Sequence, residues 1–158
     1  MQFIEWVALL SRWAHILCVV IAVGGAVFSR FVLLPAAEES LSVEDHGRLR
    51  AAAMGRWRKI VHACIVLLLL SGGFNFYLAL RDKVPPMPYH ALFGVKFLLA
   101  LVVFFLASAL AGSKPGFAAL RARGKKWLGV LVGSAVVVIL LSGVLRALHQ
   151  GALASASP

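Results

Sequence analysis

Four long apolar runs, separated by short polar segments, dominate the pattern of this chain. A transmembrane helix needs about 20 predominantly apolar residues, because each residue adds about 1.5 Å along its axis. Each run reaches that length, and proline and glycine residues typical of turns lie in the gaps. Since the gaps are short, we expect an all-α, four-helix up-down bundle that forms one membrane domain over residues 1–158. The predicted spans are 6–34, 57–80, 90–112 and 127–148, and the segment 35–56 is predicted to be a loop with a short amphipathic helix.

The composition supports membrane insertion and changes how the charge is interpreted. Hydrophobic residues occupy 61% of the 158 positions, well above the usual share in soluble proteins. Lysine and arginine together number 16 against 6 acidic residues, which gives a net charge of +10. The basic residues flank the apolar runs and form no single patch. The excess charge therefore indicates membrane topology and contact with lipid headgroups, and we expect no nucleic-acid partner.

The basic residues also predict the orientation of the bundle. They are concentrated in the first and third connections and are sparse in the second, and none precedes the first span. By the positive-inside rule, the first and third connections face the cytoplasm and both termini lie outside. We expect a multi-pass protein of a bacterial-type cytoplasmic membrane. The residues that decide this are Arg30, Arg48, Arg50, Arg56, Arg58 and Lys59 in the first connection and its flanks, and Lys114, Arg121, Arg123, Lys125 and Lys126 in the third.

Polar side chains from all four spans lie at similar predicted depths in the outer half of the membrane. Counted from the outer end of each span, His15 lies about 10 Å deep, and Arg12, Asn75 and Lys96 lie about 6 Å deep. On the fourth span Ser142 lies roughly 7 Å deep, with Arg146 near the boundary. Paired glycines at 24–25 and 72–73 indicate close helix contacts. The four tryptophans are interpreted as packing residues and interface anchors.

The charge balance of this layer points to an anionic ligand. Arg12, Lys96 and Arg146 have no carboxylate at comparable depth, and Glu5 is the nearest candidate. An intramembrane cation costs at least about 2.5–3.5 kcal/mol, so these cations must either reach the surface or pair with an anion. Imidazole is an axial ligand of haem iron, and the haem propionates pair with arginine or lysine. If His15 ligated the iron and these cations paired with the propionates, one haem would account for both the histidine and the unpaired cations.

Other histidines suggest different roles. His62 lies near the cytoplasmic end of its span, some 15 Å from His15 along the membrane normal, so the two are not expected to share one iron. His46 is expected to be a loop residue. Met87 and His90 form an M-x-x-H motif that, with His149, could make an outward-facing copper site of soft ligands.

Two stretches resemble a known family. "WAHILCVVIAVGGAVFSRFVLLP" (13–35) places a histidine early in the first span and F-x-R-F at its end, and "YHALFGVKFLLALVVFFLAS" (89–108) places a lysine early in the third. These are similar to the HemJ-type protoporphyrinogen oxidases and their CopD-like copper-resistance relatives. The resemblance implies a b-type haem, with His15 and Lys96 as the essential groups and Arg30 as the arginine that ends the first span.

The sequence thus favours a redox protein that binds haem b in the outer half of the bundle. Its role would be electron transfer, a quinone-linked step, or HemJ-like tetrapyrrole oxidation in which Lys96 is catalytic. The predicted cofactor-binding residues are His15, Arg12, Asn75, Lys96 and Arg146. Two alternatives stay open. One is a CopD-like copper carrier that uses Met87, His90 and His149, and the other is a cofactor-free structural subunit of a membrane complex. Lipids are the expected surroundings in each case, and the chain could form oligomers.

Overall fold

The computed structural model describes the backbone of residues 2–82 and 87–155, and the side chains of 3–81, 90–148 and 150. In this part of the chain the secondary structure is helical and contains no strand. Four helices are long and apolar enough to cross a membrane, so the predicted number and order of spans are confirmed. The side of the membrane that each terminus faces stays a prediction. The helices are α1 (Gln2–Phe28), α2 (Leu34–Ser40), α3 (Val43–Asp82), α4 (Met87–Ala111), α5 (Ala118–Ala122) and α6 (Gly124–Ser155).

The first helical element is longer than the sequence predicted. A π-helical turn at Ser29–Leu33 joins α1 directly to α2, so the chain stays helical as far as Ser40. Pro35 lies just after the π turn and does not end the helix. The wider π turn just before it changes the hydrogen-bond register at that point.

The segment 35–56, predicted to be a loop with a short amphipathic helix, contains more helix than expected. Only Leu41 and Ser42 interrupt the helix, and Leu41 takes an extended backbone conformation. Ser42 then caps α3, since its hydroxyl accepts a hydrogen bond from the Asp45 backbone N–H at 3.2 Å and donates to the Asp45 carboxylate at 2.7 Å. With 40 residues, α3 is about 60 Å long and extends well beyond a hydrocarbon core of about 30 Å.

The bundle consists of two helix pairs. α1 packs mainly on α3, and α4 packs mainly on α6, while α3–α4 and α1–α6 contacts join the pairs. Two buried clusters hold this arrangement together. One contains Ala26, Leu106, Leu110 and Leu131, and the other contains Cys18, Cys64 and Leu68. The large apolar side chains that remain exposed suit a lipid environment, where burial inside the protein is not needed.

Candidate functional site

A long cavity of about 860 Å³ lies between the two helix pairs, and all four long helices line it. This volume is within the range of about 300–1,000 Å³ that is typical of small-molecule and cofactor sites. Along α3 the lining extends from His46 to Phe76. The two ends are defined here by their residues. The His15 end contains His15, Gly72, Phe76, Phe93, Lys96 and Ser142, and the Arg50 end contains Ala37, His46, Arg50 and Gly124.

At the His15 end, a serine of α3 fixes the orientation of the imidazole. The oxygen of the Ser71 hydroxyl lies 2.5 Å from the Leu67 carbonyl oxygen and 2.8 Å from His15 Nδ1. A serine has one hydroxyl proton, and the short contact with the carbonyl requires that proton to lie there. Nδ1 of His15 must therefore carry a hydrogen and donate it to Ser71. This leaves Nε2 as the nitrogen with the free lone pair, and no described residue hydrogen-bonds to it.

Gly72 lies next to the imidazole. A Cβ atom at this position would be 3.4 Å from His15 Cε1, which is an ordinary van der Waals contact. Ser71 is the buried polar residue of the described core, with a relative exposure of 7%. Two consecutive residues of α3 thus lie against the ring of His15.

Lys96 faces the same end of the cavity from α4. It is half-buried and forms no hydrogen bond or ion pair with a described residue, although it lies within electrostatic range of His15. No aspartate or glutamate is found among the described lining residues. Flat aromatic walls adjoin the lysine: the rings of Phe76 and Phe93 stack at 4.0 Å, and Phe97 lies 6.5 Å from Phe93. The site therefore combines a cation, an imidazole and planar apolar surfaces.

The structure brings together only some of the residues predicted for the polar layer. His15, Lys96 and Ser142 share the cavity, whereas Arg12 and Arg146 are exposed on the outside of the bundle and do not line it. Exposed arginines on a membrane protein can extend to the headgroups. Asn75 is half-buried and is absent from the lining, and its Oδ1 is a buried atom without a hydrogen-bond partner.

His62 lies away from His15. His62 is exposed, its Nδ1 hydrogen-bonds to the Arg58 carbonyl oxygen at 2.7 Å, and it does not line the cavity. This placement agrees with the expectation that His15 and His62 do not share a metal. Of the copper alternative, Met87 and His149 have side chains outside the described set, so that hypothesis stays a prediction. Among the residues described, no group of three or more metal-ligating side chains occurs.

The Arg50 end of the cavity was not predicted from the sequence. His46 was expected in a loop, but it lies on α3 and its Nε2 is buried without a partner. Arg50 lies one turn further along the same helix and donates to the Arg121 carbonyl oxygen at 2.9 Å. The i, i+4 spacing of these two residues could have indicated a common face, but only if α3 were known to begin at residue 43.

Trp57 packs inside the bundle, which is one of the two roles expected of the tryptophans. Its indole lies directly against the backbone of Gly25, where no Cβ could be accommodated, and it forms part of the cavity wall.

Comparison with models of protein families, with curated proteins and with solved structures found no match to this chain. The fold and the site together define a four-helix membrane protein with a large interhelical cavity.

Proposed function

We propose that this chain is a membrane-embedded redox protein that binds a b-type haem at the His15 end of its cavity. The observation that carries the proposal is the hydrogen bond from His15 Nδ1 to Ser71, which leaves Nε2 available as an axial ligand. In metal sites, a histidine ligand usually donates its second ring N–H to a fixed acceptor in this way, which sets its tautomer and orientation. The donor set therefore fits haem iron.

Each remaining feature of the site suits one part of a haem. Lys96 supplies an unpaired cation for a propionate carboxylate, in a lining that holds no acidic side chain. Phe76, Phe93 and Phe97 present planar apolar surfaces that suit a macrocycle and exclude water. A bound haem supplies one-electron exchange at iron, and the protein contributes orientation, charge and exclusion of water.

The reaction proposed for this site is electron transfer, with HemJ-like tetrapyrrole oxidation as the narrower possibility suggested by the resemblance. In the narrower case Lys96 would hold or move a proton beside the substrate, and a quinone or another redox partner would accept the electrons. Arg12 and Arg146 are not assigned to the cofactor here, because both are exposed outside the cavity.

The test is an absorption spectrum of the detergent-purified protein from haem-replete cells, oxidised and then reduced with dithionite. Iron and copper are quantified on the same sample. A b-type spectrum with stoichiometric iron, lost in His15→Ala and kept in His62→Ala, is expected. A colourless protein without iron would overturn the proposal, and its copper content would then distinguish a copper carrier from a structural subunit.

A second pair of variants tests the role of the serine. Ser71→Ala removes the acceptor for His15 Nδ1, and loss of such a partner lowers metal affinity by about 10- to 100-fold. Ser142→Ala is the matched control, because the Ser142 hydroxyl also lies at this end but donates only to the Val138 carbonyl oxygen of its own helix. Equal haem affinity in the two variants would contradict the orientation argument.

A further inference from the structure

The Arg50 end of the cavity lies about 33 Å from the His15 end, since Arg50 and Gly72 are 22 residues apart on one helix. This separation is close to the thickness of a bilayer hydrocarbon core. The two ends therefore lie at very different depths, and a ligand at one end leaves the other available. The charged residues among the described lining are Lys96 and Arg50, one at each end.

Arg50 is held in place and still has donors to offer. Its Nη2 donates to the Arg121 carbonyl oxygen, and the guanidinium lies so close to Gly124 that a Cβ there would come within 2.6 Å of it. A guanidinium carries five N–H groups, and Arg50 forms no other hydrogen bond with a described residue. A fixed, partly unpaired guanidinium is the preferred protein partner of a phosphate.

Two other basic side chains near the Arg50 end also have a nitrogen atom without a hydrogen-bond partner. His46 Nε2 and Arg30 Nε are both buried atoms without a hydrogen-bond partner. The carboxylate of Glu38 lies within electrostatic range of Arg30, His46 and Lys125, but it is already bound to Lys125 at 2.8 Å. Cationic groups therefore outnumber carboxylates around this end of the cavity, which leaves net positive charge for an anion.

The walls beyond Arg50 are apolar. Leu33, Leu49, Ala53, Met54 and Leu128 line the cavity between its Arg50 end and the middle of the bundle. A free anion would leave these surfaces uncovered, whereas an anionic amphiphile would cover them with its hydrocarbon chain. Basic pockets between transmembrane helices on the cytoplasmic side are a recurring site for lipid headgroups, and the positive-inside rule assigns this end to that side.

We propose that the Arg50 end of the cavity binds an anionic phospholipid, with its phosphate at Arg50 and one acyl chain along the apolar wall that includes Ala53. The site is separate from the proposed haem site and does not depend on it. His46 is the second donor to the headgroup. The lipid would bridge α3 and α5, which are the elements that the hydrogen bond from Arg50 to Arg121 already connects.

The experiment titrates the full-length protein in detergent with phosphatidylglycerol or phosphatidylcholine and counts bound lipid by native mass spectrometry. Both headgroups offer a phosphate to Arg50, but only phosphatidylcholine brings a quaternary ammonium into a site that already has excess positive charge. Because such like-charge proximity is costly, phosphatidylglycerol is expected to bind about tenfold more tightly or better. Arg50→Gln should remove this preference. Arg48→Gln is the matched control, since Arg48 is exposed and paired with Glu44, yet carries the same charge two residues away.

A second pair of variants tests the acyl chain without changing the charge. Ala53→Leu fills the cavity wall, and Ala52→Leu places the same side chain on the exposed face of α3. Weaker lipid binding in Ala53→Leu alone supports the proposal and decides it even where Arg50→Gln fails to fold. The proposal would be overturned if Arg48→Gln and Arg50→Gln lost the preference for phosphatidylglycerol equally, or if Ala53→Leu bound the lipid as well as the unmodified protein. It would also be overturned if inorganic phosphate competed for the site as effectively as a phospholipid.

Discussion

The contact between Gly25 and Trp57 gives a quantitative test of how α1 packs on α3. Replacing Gly25 with alanine places a Cβ atom where the indole of Trp57 lies, so the ring or the helix must move. Overpacking of this kind typically costs about 1–3 kcal/mol. Gly24 is the internal control, because nothing lies within 4 Å of a Cβ built there. Both substitutions gain the same helix propensity, about 0.8–1 kcal/mol, so their difference isolates the steric effect.

The assay is thermal unfolding of the two variants in the same detergent, followed by tryptophan fluorescence. A chain of this size shifts its melting temperature by about 2–4 °C per kcal/mol, so Gly25→Ala should melt roughly 2–12 °C below Gly24→Ala. In the Trp57→Leu background, Gly25→Ala should no longer lower the melting temperature, because the indole that the added Cβ atom would meet is gone. Equal melting temperatures for the two alanine variants would refute the packing of Trp57 on Gly25.

Three further predictions concern other contacts. Asn75→Leu removes a buried oxygen without a partner, so it should stabilise the haem-free protein by about 1 kcal/mol or more in thermal unfolding, and a loss of stability would contradict this. Cys18 and Cys64 lie in the same buried cluster, so membrane-permeant diamide should link them into a faster-migrating species on a non-reducing gel. Absence of that species would argue against the α1–α3 register. Lys125→Ala breaks the half-exposed pair with Glu38 and should lower the melting temperature only slightly in low salt and still less in high salt, and a large, salt-independent loss would show that the pair is not a surface contact.

The positions of the glycines show how much of the helix packing could be predicted from the sequence. The pairs 24–25 and 72–73 were both predicted to mark helix contacts, and one member of each pair does so. Gly25 meets Trp57 and Gly72 meets His15, while Gly24 and Gly73 have nothing within contact range of a Cβ. A pattern of small residues indicates that a neighbour approaches closely, but the rotation of each helix about its own axis decides which residue faces it.

The apolar pattern of the chain determined the class of the fold, because the length of a spanning helix follows from the thickness of the bilayer. Depth counting along the spans also placed His15 and Lys96 at similar heights, and both line the same end of the cavity. These properties depend on position along one helix, which is a local quantity. They needed no knowledge of neighbouring helices.

The partners of these residues depended on the tertiary structure. Ser71 rather than Asn75 meets His15, Arg12 and Arg146 stay outside the cavity, and α3 begins early enough to bring His46 and Arg50 to its far end. Each of these facts results from how two helices are rotated and shifted against each other. Hydrophobic periodicity defines a broad face on each helix but does not specify the contact across it, because many rotations bury almost the same apolar area.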